Sequence, residues 1–237
     1  MTPERVRKAG AVAIAAALLF AGVEVARAAE RAVPVIEAVK NRDTAAVRAL
    51  IQQRADVNAA EADGTTALHW AAHTDDMAAA RLLVDAGARV AAANRYGVQP
   101  LTLACINGNT GMIELLLRAG ADPNTRAPGG ETALMTAART GGVDAVRALV
   151  ERGADVNALE AQRGQTALMW AAADGHAGVV RELMARGATL TPEQGWSLAR
   201  GWYKDKIKPE WRRHTLQEAE ALLSDVGLTG GFWNLRG

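Results

Sequence analysis

The chain repeats itself every 33 or 34 residues, and this period restricts its possible folds more than any other feature. Gly64-Thr65-Thr66-Ala67-Leu68, Gly97-Val98-Gln99-Pro100-Leu101, Gly130-Glu131-Thr132-Ala133-Leu134 and Gly164-Gln165-Thr166-Ala167-Leu168 begin at intervals of 33, 33 and 34. The segments RLLVDAGARV, ELLLRAGADP, RALVERGADV and RELMARGATL follow in the same register. The cleanest copy runs from Gly164 to Ala188. There Thr166 is placed to cap a short helix with Leu168, Ala171 and Ala172 inward, and Asp174-Gly175 breaks it. A second helix carries Val179, Val180, Leu183 and Met184 at helical spacing, and Gly187 stops it. One such pair buries too little surface to stand alone, so the copies must stack.

Alanine supplies much of the apolar content, and Phe and Tyr occur only twice each. That composition favours close-packed helices over strands, which want β-branched and aromatic residues. Counting back from Gly64, the segment Val33 to Asn58 keeps the register, with Val35, Ala38, Val47, Leu50, Ile51 and Val57 at the inward positions. Arg54 replaces the stop glycine, and Glu37, Lys40, Arg42 and Arg48 suit a terminal unit with a soluble outer face. The units fall near 31–63, 64–96, 97–129, 130–163 and 164–190. The second has Asp75-Asp76 in place of a glycine turn, and Arg89 and Ala91 where others carry Asp and Asn, so looser turns are expected there. Pro100 stands at the first helical position of the third, where its missing N–H costs nothing. The connection Leu159 to Arg163 holds one extra residue, which lengthens the loop without disturbing the helices.

The period, the Gly-x-Thr-x-Leu openings and the paired helices resemble the ankyrin repeat family. The resemblance implies an all-α ankyrin-repeat solenoid of stacked helix-turn-helix units with short β-hairpin loops, over residues 31 to about 190. It also implies a protein partner held in the concave groove and at the hairpin tips. Those positions are Asp63, Thr65, His73 and Thr74, then Arg95, Tyr96, Ile106 and Asn107, then Arg126, Glu131, Arg139 and Thr140, and finally Arg163, Gln165 and Asp174. Rigid helices hold such a surface while short loops vary. Arg95, Arg126, Arg139 and Arg163 give it a positive cast that suits an acidic patch on the partner; the competing reading is a solvated polar rim.

No catalytic set is legible: the chain has no Gly-x-Ser-x-Gly elbow, phosphate-binding glycine loop, Cys-x-x-Cys or His-Glu-x-x-His. The expectation is a non-enzyme without cofactor or metal. His69 and His73, four apart on a helix, could share a metal with Asp75 or Asp76, but His69 stands at the family's Thr-x-Leu-His position, where the resemblance implies structural hydrogen bonds. His176 is read as structural on the same ground. Cys105 reads as a small packed residue rather than a redox centre. Trp70 and Trp170 occupy equivalent positions, either packing between first helices or anchoring a partner.

The N-terminus carries Arg5, Arg7 and Lys8, then an apolar run from Ala11 to Val23, then Ala26-Arg27-Ala28. This is the pattern of a secretory signal over residues 1–28, cleaved before Ala29. The alternative is a retained anchor, for which about 13 apolar residues fall short of the roughly 20 that span a bilayer. The segment holds four basic and two acidic residues, so its removal takes the formal charge from +1 to −1, too little positive charge for a general nucleic-acid binder. Cys105 is the single cysteine, so no internal disulfide can form. After Leu190 the period is lost. Residues 191–237 are expected to form a helical cap, starting at Thr191-Pro192, and an aromatic tail with Trp196, Trp202, Trp211 and Trp233. These tryptophans read as a cap core or as a docking surface. A signal before such an array resembles periplasmic ankyrin proteins of Gram-negative bacteria, which implies a monomeric periplasmic adaptor without stable membrane insertion, in stress protection or effector neutralisation. Two other readings stand beside it: a metal-dependent or enzymatic accessory protein, and a secreted host-targeted effector.

Overall fold

A computed structural model describes residues 34–190. The expected signal segment, the cap and the tail tryptophans lie outside the described residues. The chain divides into two compact units, one reaching Arg89 and the next starting at Val90. The first contains α1 (residues 34–40), α2 (Thr44–Gln52), α3 (Ala67–His73) and α4 (Met77–Asp85). The second contains α5 (Pro100–Asn107), α6 (Thr110–Arg118), α7 (Ala133–Thr140), α8 (Val143–Glu151), α9 (Ala167–Ala173) and α10 (Ala177–Ala185).

Each helix pair starts and stops where the side chains dictate. Thr132 and Thr166 accept the N–H groups of Met135 and Met169 at 3.2 and 3.3 Å, closing the N-termini of α7 and α9. Asp43, Asp76 and Asn109 cap α2, α4 and α6 in the same way, at 2.9–3.0 Å. The turn between paired helices needs a left-handed residue, which Gly108, Gly141 and Gly175 supply in the second unit. In the first unit Arg42 and Asp75 adopt that conformation at φ 55° and 56°. The turn at Asp75-Asp76 is therefore not looser, as the missing glycine suggested. Asp75 takes the strained position while Asp76 caps the next helix. Arg54, at φ 60°, does the same in place of the stop glycine.

Packing follows residue size. In the second unit α5, α7 and α9 lie side by side, as do α6, α8 and α10. Ala104, Ala137, Ala138 and Ala171 are buried on the first helices, where small side chains let the helix axes approach. Met112, Ile113, Leu116, Val146, Leu149, Val179 and Leu183 fill the layer of second helices. Burying one such aliphatic side chain contributes roughly 1.5–3 kcal/mol. In the first unit Val35, Ala38, Val47 and Val57 are buried as the register requires, joined by Ile36 and Val39, while Leu50 and Ile51 are half-buried. Ala172 and Met184 of the cleanest copy are also only half-buried.

The hairpins are short. Among the described residues there is no strand, only the isolated antiparallel bridges Ala60–Thr66 and Arg126–Thr132. What ties one copy to the next is an asparagine. Asn124 donates to Gly153 O at 3.0 Å and accepts from Asp155 N at 2.8 Å; Asn157 does the same with Gly187 O and Thr189 N, at 3.1 and 2.9 Å. In the first unit Asn58 bonds Gly87 O and Arg89 N at 3.1 and 2.7 Å. Ala91 holds this register between Asn58 and Asn124, and its methyl group can make neither bond. No helix among the described residues is long and apolar enough to cross a membrane.

Candidate functional site

The loops that join successive copies close on one backbone pattern. Glu61 N donates to Thr65 O, Asn94 N to Val98 O, Ala127 N to Glu131 O and Glu160 N to Gln165 O, at 2.8–3.0 Å. Side chains finish three of these turns. Asp63 accepts Thr65 N–H at 2.9 Å, and Asn94 accepts the N–H groups of Tyr96 and Val98 at 3.0 Å. In the lengthened loop Glu160 takes over this role. The residue is 6% exposed, and its carboxylate accepts from Gln162 N at 2.7 Å, from Arg163 N, and from Gln165 N at 3.4 Å. The longer side chain spans the extra residue. The bond from Gln162, with the others beside it, holds the Glu160 carboxyl below its ordinary pKa.

In the second unit these loops form one platform. Arg126 Nη1 donates to Gly130 O in its own loop and to Leu159 O in the next, both at 2.9 Å. Gly97 abuts Pro128, whose Cγ would lie 3.0 Å from any Cβ added there. Gly130 backs onto Ala161 so closely that an added Cβ would lie 2.8 Å from the alanine methyl, and its φ of +85° excludes most side chains besides. On this platform Tyr96 is 55% exposed, and Leu159 50%. Arg95 lies over the Tyr96 ring at 4.9 Å and donates to its hydroxyl at 2.7 Å. Neither Arg95 nor Arg126 reaches a carboxylate among the described residues. Arg118 and Arg147 on the second helices, and Arg186 at the C-cap of α10, all do.

On the first helices of the second unit Ile106 is 50% exposed, and Asn107 and Thr140 are exposed at the helix ends. Arg139 covers the ring of Trp170 at 5.0 Å, and Trp170 Nε1 donates to Gln165 at 3.0 Å. Asp174 ends α9 as its C-cap. His176 Nε2 lies 2.8 Å from Arg139 O, and its ring fills the space beside Gly141. In the first unit Trp70 is arranged in the same way. Its Nε1 donates to Glu61 at 2.8 Å, Lys40 lies over its ring at 4.8 Å, and His73 meets it edge-on. Lys40 also bonds Glu61 at 2.7 Å. That bond draws the Glu61 carboxyl below its usual pKa and raises the Lys40 ammonium. Thr74 caps α3 by donating its N–H and its hydroxyl to Trp70 O, both at 2.9 Å, and its carbonyl accepts Arg42 at 2.6 Å. Both indoles are therefore tied down at the nitrogen and covered on a face.

The groups that could have carried chemistry are used in packing. His69 is 1% exposed, with Nδ1 accepting Thr66 N–H at 3.1 Å and 2.8 Å from the Thr66 hydroxyl. His73 lies exposed on the ring of Trp70. Among the described residues no three His, Cys, Asp or Glu side chains are placed to hold a metal ion. Cys105 is buried, and desolvation pushes its thiol pKa up to about 12, far from the thiolate that reactivity needs.

The structure thus gathers Arg95, Tyr96, Arg126, Glu131, Arg163 and Gln165 on the loops of the second unit and Ile106, Asn107, Arg139, Thr140 and Asp174 on its first helices. Asp63, Thr65, His73 and Thr74 lie in the first unit. Sequence reasoning missed Leu159, the closing role of Glu160 and the place of Lys40. Lys40 was legible in principle, because counting by 33 puts it in register with His73, Ile106 and Arg139 on the exposed side of the first helices. A family model described as ankyrin repeats, three copies, matches residues 35–127 and 125–194. Among curated proteins none matches. With its period, its helix pairs and most of its length accounted for in this way, the chain belongs to the ankyrin-repeat family of protein-binding scaffolds.

Proposed function

We propose that this chain is an exported, non-catalytic adaptor of a bacterial cell envelope, which holds a protein partner against the first helices and loops of its second unit. The observation that carries the adaptor reading is Ile106, a large aliphatic side chain 50% exposed on a helix whose other face is buried alanine, leucine and cysteine. Tyr96, on the loop that precedes the same helix, is a second large side chain 55% exposed, with Arg95 over one face of its ring. Apolar side chains in such settings cost solvation in the free protein and gain contact energy when a partner covers them. The two tryptophans are weaker anchors than their size suggests, because Lys40 and Arg139 already cover their faces. Export rests on Arg5, Arg7 and Lys8, the apolar run after them and Ala26-Arg27-Ala28. Within the envelope, the roles suggested by the resemblance to periplasmic ankyrin proteins are stress protection and effector neutralisation.

Affinity capture from periplasmic extract, comparing the chain from Ala29 with its Ile106→Asp variant, tests the adaptor. A partner retained by the first and lost by the second, with unchanged helical circular dichroism, is the expected result. Equal capture by both would place the partner elsewhere. N-terminal sequencing tests export: a periplasmic product beginning at Ala29 is expected, and an intact Met1 in the membrane fraction would overturn it.

A further inference from the structure

Two arginines of the loop platform, Arg95 and Arg126, are short of counter-charge. Both hydrogen bonds of Arg126 come from Nη1, and its Nε and Nη2 bond no described residue. Arg95 spends one Nη2 bond on the Tyr96 hydroxyl. The carboxylates of these loops do not relieve them: Glu160 is taken up by backbone N–H groups, and Glu131 is folded over Gly129. Tyr96 and Pro128 line the same depression as Arg95 and Arg126, so it offers apolar contact and unpaired positive charge together. Guanidinium groups in this state favour planar anions, which they bind through paired N–H donors.

We infer that the platform receives an acidic segment of the protein partner, its carboxylates on Arg95 and Arg126 and an apolar side chain against Tyr96 and Pro128. This rests on the adaptor reading above and specifies the chemistry of what is held. A nucleic acid fits less well, because its repeated phosphates need a continuous basic track. Away from the loops, Arg118, Arg147 and Arg186 are paired with Glu114, Glu182 and Glu151, so they do not extend the unpaired positive charge into such a track. A short acidic segment meets only the loops.

The test is selection from a random peptide display library of about a dozen residues per peptide on the chain from Ala29. The winning peptides are then titrated by fluorescence anisotropy. The expected peptides combine Asp or Glu with an aromatic or aliphatic residue. Their affinity should fall roughly ten-fold or more in Arg95→Glu and Arg126→Glu, in line with Arg hot spots, and should weaken with added salt. Arg95→Glu keeps the proposal falsifiable even if Arg126→Glu loosens the loops, because Arg95 bonds only Tyr96. Peptides without acidic residues whose binding is lost in Ile106→Asp but kept in Arg95→Glu would overturn the inference and leave the adaptor reading standing. Failure to select any peptide would count against both. Tighter, Arg95-dependent binding of a single-stranded DNA oligonucleotide would reassign the platform to phosphate and overturn the acidic segment.

Discussion

At the scale of single residues, Glu160 shows how one side chain can absorb an insertion. Asp63 and Asn94 close their loops with short side chains, whereas the loop with one more residue is closed by a carboxylate that reaches further and binds three N–H groups. Glu160→Ala should free those donors and open the loop, so trypsin should cut after Arg163 several-fold faster than in the parent at equal melting temperature. An unchanged cutting rate would mean the backbone closes the loop unaided. The carboxyl is held below its ordinary pKa. Its contribution is therefore present above the unfolded glutamate value of ~4.3 and is lost as pH falls through the lower folded value. The amide proton shifts of Gln162, Arg163 and Gln165 should titrate together, with a midpoint under ~4.3. A shared midpoint at or above that value would contradict the arrangement.

Between elements, the asparagine that follows each second helix links one copy to the next, and its absence at Ala91 leaves one rung open. The bonds seen at Asn124 and Asn157 have counterparts waiting for residue 91 at Gly120 O and Asp122 N, 33 residues before Gly153 O and Asp155 N. Ala91→Asn should make both. Two net hydrogen bonds of ~0.5–1.5 kcal/mol each, less the cost of ordering an exposed side chain, leave about 1 kcal/mol of stabilisation. The melting temperature should then rise by about 2–4 °C. No rise would show that the connection after α4 follows a different geometry when asparagine is present. Asp75 and Arg54 teach the complementary lesson. Turn residues are selected for backbone geometry, and a non-glycine can hold a left-handed φ when the hydrogen bonds that close the preceding helix fix it.

Across the whole molecule, a stack in which each copy touches only its neighbours spreads damage locally. Leu149 is fully buried on α8, which packs between α6 and α10. Leu149→Ala should cost ~2–5 kcal/mol, and hydrogen exchange should quicken most in α6, α8 and α10 while α3 and α4 keep their protection. Uniform acceleration would mean that the chain unfolds as one unit. The period in the sequence determined the fold class, the helix pairs and their caps, because helix-forming patterns, capping residues and stop signals act within one copy. Cys105 was also legible as a packed residue from its place on an inner helix, and His69 and His176 as structural from the resemblance to the ankyrin pattern. The arrangement of the candidate surface was not. Leu159 and Glu160 look alike as loop residues, yet one is exposed and the other enclosed; Lys40 and Trp70 are 30 residues apart and meet only because the copies stack. Which arginines lack a counter-ion, which indoles are covered and which apolar side chains face water depend on contacts between copies. Only the tertiary structure decides those, because each contact forms when separate copies of the same local pattern are brought side by side.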